Sequence, residues 1–358
     1  MLDPDRPVES ASQPRLDTRQ ILETLLNLDA GAPVQRDFDQ TLFTVRGKLV
    51  KYSRFILVVR EIARVHRRGV LLKVSDSFQI VGQTGSGKSS LAKWYRDQFP
   101  AGAVDGRMHI PVLLVETPET PTVKSLAEAV LIALGDPWPH KGSTTEMTQR
   151  IKHFCKVCVV EIIIFDEIQH FNEGNRHAEL LRVTDWFKSL INQVCIPVVL
   201  IGLPRSIPVT RSNPQLRRRF STPYYLAPFG FETAKEQLEF RGLMKALATE
   251  LPAGSVDVSS YEEAVRFFHA TCGLIDYLVK LLDDAGSRGG SGPAGAVTRE
   301  DFAVSFLRVI WGEAPPRLNP FGPKAKLRRL DKDGEPFEML DDIARYLGRA
   351  DRHKGCSK

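Results

Sequence analysis

Two groups of residues in this 358-residue chain have the types and spacing for chemistry. The first is the loop Gly82-Gln83-Thr84-Gly85-Ser86-Gly87-Lys88-Ser89, which fits Gly, four residues, Gly-Lys-Ser/Thr. It follows the apolar run Phe78-Gln79-Ile80-Val81 and precedes the helical stretch Leu91 to Tyr95. A strand that ends in such a loop and enters a helix is a phosphate cradle. The glycines let backbone N–H groups turn inward around a β-phosphate, and Lys88 brings a mobile positive charge to the β- and γ-phosphates. Ser89 offers a hydroxyl to Mg²⁺, and the helix N-terminus adds its partial positive charge. The expected ATP-binding set is Gly82, Gln83, Thr84, Gly85, Ser86, Gly87, Lys88, Ser89 and Ser90.

The second group is the run Ile162-Ile163-Ile164-Phe165-Asp166-Glu167, an apolar strand that ends in two acids. Asp166 is placed to hold Mg²⁺ through water alongside Ser89. Glu167 is placed to polarise the attacking water as a general base. The alternative is a strand end with two solvated acids, which pairing with the loop disfavours. Pro111 to Glu116 supplies an intervening strand, so the loop and the acids are expected on adjacent central strands. Thr117, just beyond that strand, is a candidate to hydrogen-bond Glu167 and hold it inactive, or else a turn residue before Pro118.

Gln215-Leu216-Arg217-Arg218-Arg219-Phe220 follows the fourth apolar run. An arginine here can reach the γ-phosphate held by a neighbouring subunit, a contact worth roughly 10³–10⁵ in rate in phosphoryl transfer. Arg219 is favoured because it precedes the anchoring Phe220; Arg217 and Arg218 are the alternatives, and a solvated basic turn is the plain reading. Cys155-Lys156-Val157-Cys158 lacks the second ligand pair that zinc needs, so both cysteines are expected in the core. His170 is expected to be a structural loop residue.

The elements that must position these groups alternate. Apolar strands at 78–81, 111–116, 159–165, 197–202 and 224–226 are separated by helical stretches at 122–134, 144–154 and 176–194. That pattern predicts an α/β fold with a parallel sheet covered on both faces. After Phe231 the strands stop, and four helical stretches at 232–250, 260–270, 274–285 and 298–310 predict a small α-helical lid. The domain reading is an N-terminal extension over 1–35, a nucleotide-binding domain over 36–230, the lid over 231–312 and a C-terminal tail over 313–358, with a short helix near 337–347. The extension holds one helical stretch near Ile21 to Leu28.

Net charge is +6 with a pI near 9.0, a modest excess for this length. Nine Lys or Arg and one acid, Glu61, lie between Val45 and Lys73. Residues 52–68 read as an amphipathic helix with Phe55, Val58, Val59, Ile62 and Val65 on one face. The basic side chains suit a solvated face, a DNA-backbone patch or a subunit interface. No apolar run reaches the roughly 18 residues that cross a bilayer. The acidic start, Met1-Leu2-Asp3-Pro4-Asp5, is unlike a signal peptide, and five scattered cysteines fit a reduced compartment, so a cytoplasmic protein without membrane contact is expected.

The loop Gly82–Ser89, the Asp166-Glu167 pair, the Gln215–Phe220 segment and the helical lid together resemble an AAA+ ATPase, with a RecA-like parallel sheet. Three further strings resemble the TniB/TnsC group of transposon target-selection ATPases: Val115 to Thr122, Ile164 to His170, and Val199 to Pro204. The likeness runs over about residues 36 to 285. It implies ATP and Mg²⁺ as cofactors, and ATP-dependent self-assembly on double-stranded DNA as a ring or helical filament. It implies recruitment of a DDE-type transposase, in some systems with a target-marking partner such as an RNA-guided complex, and disassembly on hydrolysis. The segment after the second strand faces DNA in such proteins, which here maps to Thr120, Thr122 and Lys124. A Thr hydroxyl and a Lys ammonium suit sequence-independent phosphate contact, although Thr122 is also a good helix N-cap.

Two departures point to a slow, switch-like ATPase. Asp276, in Gly273-Leu274-Ile275-Asp276, stands where AAA+ lids often carry a nucleotide-sensing arginine. Gly202-Leu203-Pro204 holds no polar sensor, leaving Arg205 or Ser206 as substitutes. The alternatives are a nucleotide-gated protein-recruitment adaptor with little hydrolysis, and a helicase-loader or origin-type AAA+ ATPase.

Overall fold

The structure is a computed structural model that describes residues 18–27, 52–104, 106–172, 177–211, 214–220 and 222–338. The tail helix expected near 337–347 and most of the N-terminal extension lie outside the described residues. Helix α1 spans Thr18–Leu26 and α2 spans Ser53–Leu72. Strand β1 (Phe78–Val81) leads through the Gly82–Ser89 loop into α3 (Lys88–Asp97). Then come β2 (Val112–Glu116), α4 (Val123–Ala133), α5 (Thr144–Val157), β3 (Ile162–Asp166) and α6 (His177–Val194). Strand β4 (Val198–Gly202), the short helices α7 (Ile207–Arg211) and α8 (Pro214–Arg219), and β5 (Tyr224–Tyr225) complete the sheet domain. The lid holds α9 (Ala234–Ala248), α10 (Tyr261–Thr271), α11 (Ile275–Ser287) and α12 (Arg299–Val309). A small antiparallel hairpin, Gly102–Val104 with Arg107–His109, stands apart from the main sheet.

The five strands pair in parallel in the order β2-β3-β4-β1-β5. The strands read as continuous apolar runs because both faces are covered. Successive side chains point to opposite faces, and the burial follows that alternation. Ile162, Ile164, Val199 and Ile201 join one core with Phe55, Trp94 and the lid residues Phe240 and Phe267. Ile163, Phe165, Val198 and Leu200 join the other, with residues of α4, α5 and α6. Each fully buried Ile or Phe contributes roughly 1.5–3 kcal/mol, so the alternating side chains of β3 and β4 anchor the centre of the sheet to both helical layers. Cys155 and Cys158 are buried in the second core, as expected.

Strand β4 lies between β1 and β3. The expectation that the loop-bearing and acid-bearing strands are neighbours is therefore incorrect. Apolar runs of equal length carry no information about lateral order, and the run later in sequence took the middle place. Asp166 still reaches the loop because α3 packs across β4, β3 and β2, which carries Lys88 and Ser89 toward β3.

The basic stretch expected on α2 is largely committed within the molecule. Arg54 donates to the carbonyls of Ala227 and Pro228, Arg64 pairs with Glu61, and Arg68 pairs with Asp76 at 2.9 Å. The apolar face is buried as its spacing requires. The expected tail also differs from the structure over its first half. Phe321, Leu330 and Phe337 are 2% exposed or less and pack into the lid core, with Phe321 ring-to-ring against Phe267 at 4.9 Å.

Candidate nucleotide site

The register places the carboxyl ends of four strands side by side. Val81 pairs with Gly202 across β1 and β4, while Glu116 pairs with Asp166 across β2 and β3. The crevice beyond strand ends where chain order reverses is the general ligand site of such sheets. The Gly82–Ser89 loop fills that place. Gly87 has φ +88° and Gly85 has φ +77°, in the left-handed region where a side chain is strained. Gly82 is required for a different reason: a Cβ there would lie 2.6 Å from the Leu226 carbonyl oxygen.

The loop is folded in on itself. Lys88 is 6% exposed, and its ammonium donates to the Gln83 carbonyl at 2.8 Å. Ser86 is 4% exposed, and its hydroxyl has no hydrogen-bond partner among the described residues. A buried orphan hydroxyl in a glycine-rich turn at a helix N-terminus fits an anion acceptor. Asp166 lies at the end of β3, and its carboxylate accepts from Ser89 and from the Glu167 N–H at 2.9 Å. Burial raises its pKa above the ordinary carboxylate value, and those two hydrogen bonds and Lys88 oppose the shift. A buried carboxylate against a serine hydroxyl is a donor set that suits Mg²⁺. Among the described residues no cluster of three or more His, Cys, Asp or Glu points to any other metal centre.

Glu167 takes a left-handed backbone conformation, φ +59°, which turns its side chain away from the strand direction. Its carboxylate accepts a hydrogen bond from the Gln169 side-chain amide. Thr117 was a candidate for that contact and does not make it. The Thr117 N–H donates to the Asp166 carbonyl at 3.0 Å, and its buried hydroxyl has no partner among the described residues. The backbone bond fixes Thr117 in the ladder, and Gln169 occupies the carboxylate instead. His170 donates its N–H to the Glu167 carbonyl, a loop role as expected.

The candidate sensor Ser206 is fully buried and built into the core. It accepts from the Gln79 amide at 2.9 Å and donates to the Leu203 carbonyl at 2.7 Å. That expectation is incorrect for Ser206, because β1 contributes a polar residue that captures its hydroxyl.

Arg219 is half-buried and tied within its own chain, with one nitrogen on the Asn192 side-chain oxygen and another 3.4 Å from the Ser75 hydroxyl. Arg217 and Arg218 are exposed on α8. With Arg211, Phe220 and Thr222 they line a recess of about 420 Å³, which none of the Gly82–Ser90 residues border. Thr120, Thr122 and Lys124 are exposed at the start of α4. The Thr122 hydroxyl is engaged as the helix cap, accepting from the Ser125 N–H at 3.1 Å, while Ser125 reciprocates to the Thr122 N–H at 2.8 Å.

Two groups at the site, Tyr52 and Gln169, escaped the sequence reading, while Asp276, already marked by its place after Gly273, makes contacts the sequence did not foretell. Tyr52 lies over the loop, with its hydroxyl 3.5 Å from the Ser86 carbonyl and its ring 4.8 Å from Phe229. Burial pushes its hydroxyl pKa up. Asp276 donates its backbone N–H to the Gly85 carbonyl at 3.1 Å and pairs its carboxylate with Lys280 at 2.6 Å. The lid therefore touches the loop directly. Gln169 holds the Glu167 carboxylate, and neither it nor Tyr52 carried a local signal in the sequence.

The profile of the family described as "Bacterial TniB protein" matches residues 42–229, more than half of the chain. The fold resembles the Aeropyrum pernix ORC1 protein solved in complex with DNA, with TM-score 0.53 and 19% identity over 73% of this chain and 66% of that one, just under two thirds. It also resembles the Aeropyrum pernix ORC2 protein in ADPNP–ADP complexes, with TM-score 0.51 and 12% identity over 79% of this chain and 71% of that one. Cdc6p from Pyrobaculum aerophilum superposes with TM-score 0.52 and 13% identity over 80% of this chain and 76% of that one. At these identities the likeness is one of fold, and it confirms the expected AAA+ architecture. No curated protein matches the sequence at a significant level.

Proposed function

This chain belongs to the TniB family, and we propose that it is a cytoplasmic ATPase that assembles on duplex DNA while ATP is bound. The assembled form presents the site to a DDE-type transposase, with or without a target-marking protein or RNA-guided complex, and hydrolysis dismantles it. One observation carries this reading. The chain holds a buried phosphate loop beside Asp166 and Glu167, and it displays unrelated arginines, Arg217 and Arg218, on a separate recess. A site in one copy and a donor on another face divide the machinery between two copies.

Within one copy, Gly85, Gly87 and Lys88 offer backbone N–H groups to phosphate, and the Ser86 N–H and the Lys88 ammonium exchange the Gln83 carbonyl for phosphate oxygens. Ser89 and Asp166 are the residues to hold Mg²⁺, which when bound neutralises charge on the phosphates. Glu167 accepts the proton of the attacking water. The arginine supplied in trans is best assigned to Arg217 or Arg218, because Arg219 is spent on Asn192 and Ser75. Thr120 and Lys124 are the residues to contact DNA phosphates. The Thr122 hydroxyl is spent on its cap. That a protein of similar fold is described in complex with DNA is in keeping with this reading.

Asp276 in the lid and the locked Ser206 favour a slow hydrolytic step. The second reading, a nucleotide-gated adaptor with little turnover, rests on those same two residues. DNA binding with and without ATP tests the proposal. Lys88→Ala should lose the ATP-dependent part, and Glu167→Gln should keep it and lengthen the lifetime of the assembly. Loss of DNA binding in Glu167→Gln overturns the switch.

A further inference from the structure

Glu167 is the residue on which turnover depends in the reading above, and its carboxylate is already occupied. Gln169 is 4% exposed and has both ends of its amide in use. Its nitrogen donates to Glu167, and its oxygen accepts the Leu203 N–H at 3.1 Å. The two bonds fix which end of the amide faces which partner, since only the NH₂ donates and only the oxygen accepts. Leu203 begins the turn after β4 that leads into α7 and α8, the helices that carry Arg211, Arg217 and Arg218. The same turn also touches the phosphate loop, because the Gly82 N–H donates to the Gly202 carbonyl at 3.2 Å.

The passage at this point is tight. A Cβ on Gly202 would lie 2.9 Å from the Gln169 amide oxygen and 2.7 Å from Ile168 Cγ2. The Gln169 amide therefore lies directly against the Gly202 backbone, in space that only a glycine leaves open, and a movement of that backbone is felt at the amide. Glu167, in its left-handed conformation, has its backbone N–H fixed on Asp166, so its side chain is steered mainly by Gln169. A shift of Leu203 would break the second bond and let the amide leave the carboxylate.

We propose that Gln169 is a positioning residue that holds the Glu167 carboxylate in a resting pose and releases it when the turn at Leu203 moves. Docking of a neighbouring copy on the α7–α8 face supplies that movement, so hydrolysis starts only inside the assembly. The inference rests on the ATPase reading above and adds its timing. Thr117, with its buried unpartnered hydroxyl beside Asp166, is the acceptor or donor left open for the released side chain.

Two variants separate the bonds. Gln169→Glu keeps an acceptor for the Leu203 N–H and replaces the donor to Glu167 by a like charge. Gln169→Met fills similar volume and removes both bonds. The measurement is ATP turnover across ATP concentrations, with and without duplex DNA, for wild type, both variants and Glu167→Gln. Wild type should be stimulated by DNA and abolished by Glu167→Gln; if it is not, the ATPase reading itself fails. Given that stimulation, both Gln169 variants should raise DNA-free kcat by about tenfold, the factor carried by one charge-assisted hydrogen bond. The KM for ATP should stay unchanged, and DNA stimulation should shrink by the same factor. A merely structural role would raise KM or lower both rates together. DNA-free kcat that stays at the wild-type level or falls toward that of Glu167→Gln overturns the proposal, because Gln169 would then hold Glu167 in its working pose or not at all.

Discussion

Replacing Gly82 by alanine isolates the geometry of the phosphate loop from its charge. The added Cβ would lie 2.6 Å from the Leu226 carbonyl oxygen, 2.7 Å from the Ser86 hydroxyl and 3.3 Å from Leu226 Cβ. The serine hydroxyl can rotate away. The carbonyl cannot, because the Leu226 N–H is held by the Val81 carbonyl at 2.7 Å, directly beside Gly82. The loop must therefore move by several tenths of an ångström. Overpacking of this kind costs about 1–3 kcal/mol, which for a chain of this length lowers the melting temperature by about 1–4 °C. The displaced N–H groups should also weaken ATP by about tenfold, the loss of one hydrogen bond to a charged oxygen. Gly242→Ala is the control. Gly242 is exposed in α9 with nothing within 4 Å of its new Cβ, so alanine should stabilise by about 0.5–1 kcal/mol and leave ATP affinity alone. Thermal melts and ATP titrations on both variants check this. If Gly82→Ala melts and binds ATP like wild type, the close approach of loop and strand does not govern the site.

Asp276→Asn removes a negative charge beside Gly85 and frees Lys280, and both changes favour phosphate. Discounted for exposure, ATP and ADP should bind about three- to tenfold more tightly, and a fluorescence titration that shows no gain refutes a repulsive role. Burial pushes the Cys155 thiol up to about 12. Thiolate is the reactive form, so at pH 8 Cys155 should resist iodoacetamide in the folded protein and react once it is unfolded; mapping by mass spectrometry reads this, and rapid native labelling of Cys155 contradicts the packing of α5.

The central strands were legible as short continuous apolar runs, and the lid helices as longer stretches on a helical period. The bounds of β1 fall where the apolar run Phe78 to Val81 does. Lateral order was not legible: β4 entered between β1 and β3 through side-to-side packing that leaves no local trace. The hairpin at 102–109 was missed because three-residue strands show no period, and its turn depends on Gly106 at φ +73°. The folding of residues 313–338 onto the lid depends on single aromatics, Phe321 and Phe337, spaced too far apart to form a pattern. At the site, the loop and the acids follow from local motif. The hold on Glu167 does not, because Gln169 gains meaning only from Leu203, which is 34 residues away. Tyr52 is likewise brought to Ser86 from 34 residues away by the packing of α2.

The central claim is that nucleotide bound in one copy is completed by arginines of another. Sedimentation velocity with duplex DNA and a non-hydrolysable ATP analogue tests it most directly. Wild type should sediment as large DNA-bound assemblies with the analogue and as small species with ADP, and a variant lacking both Arg217 and Arg218 side chains should bind the analogue yet stay small. Equal sedimentation of wild type with either nucleotide, or full assembly of the double arginine variant, would contradict it.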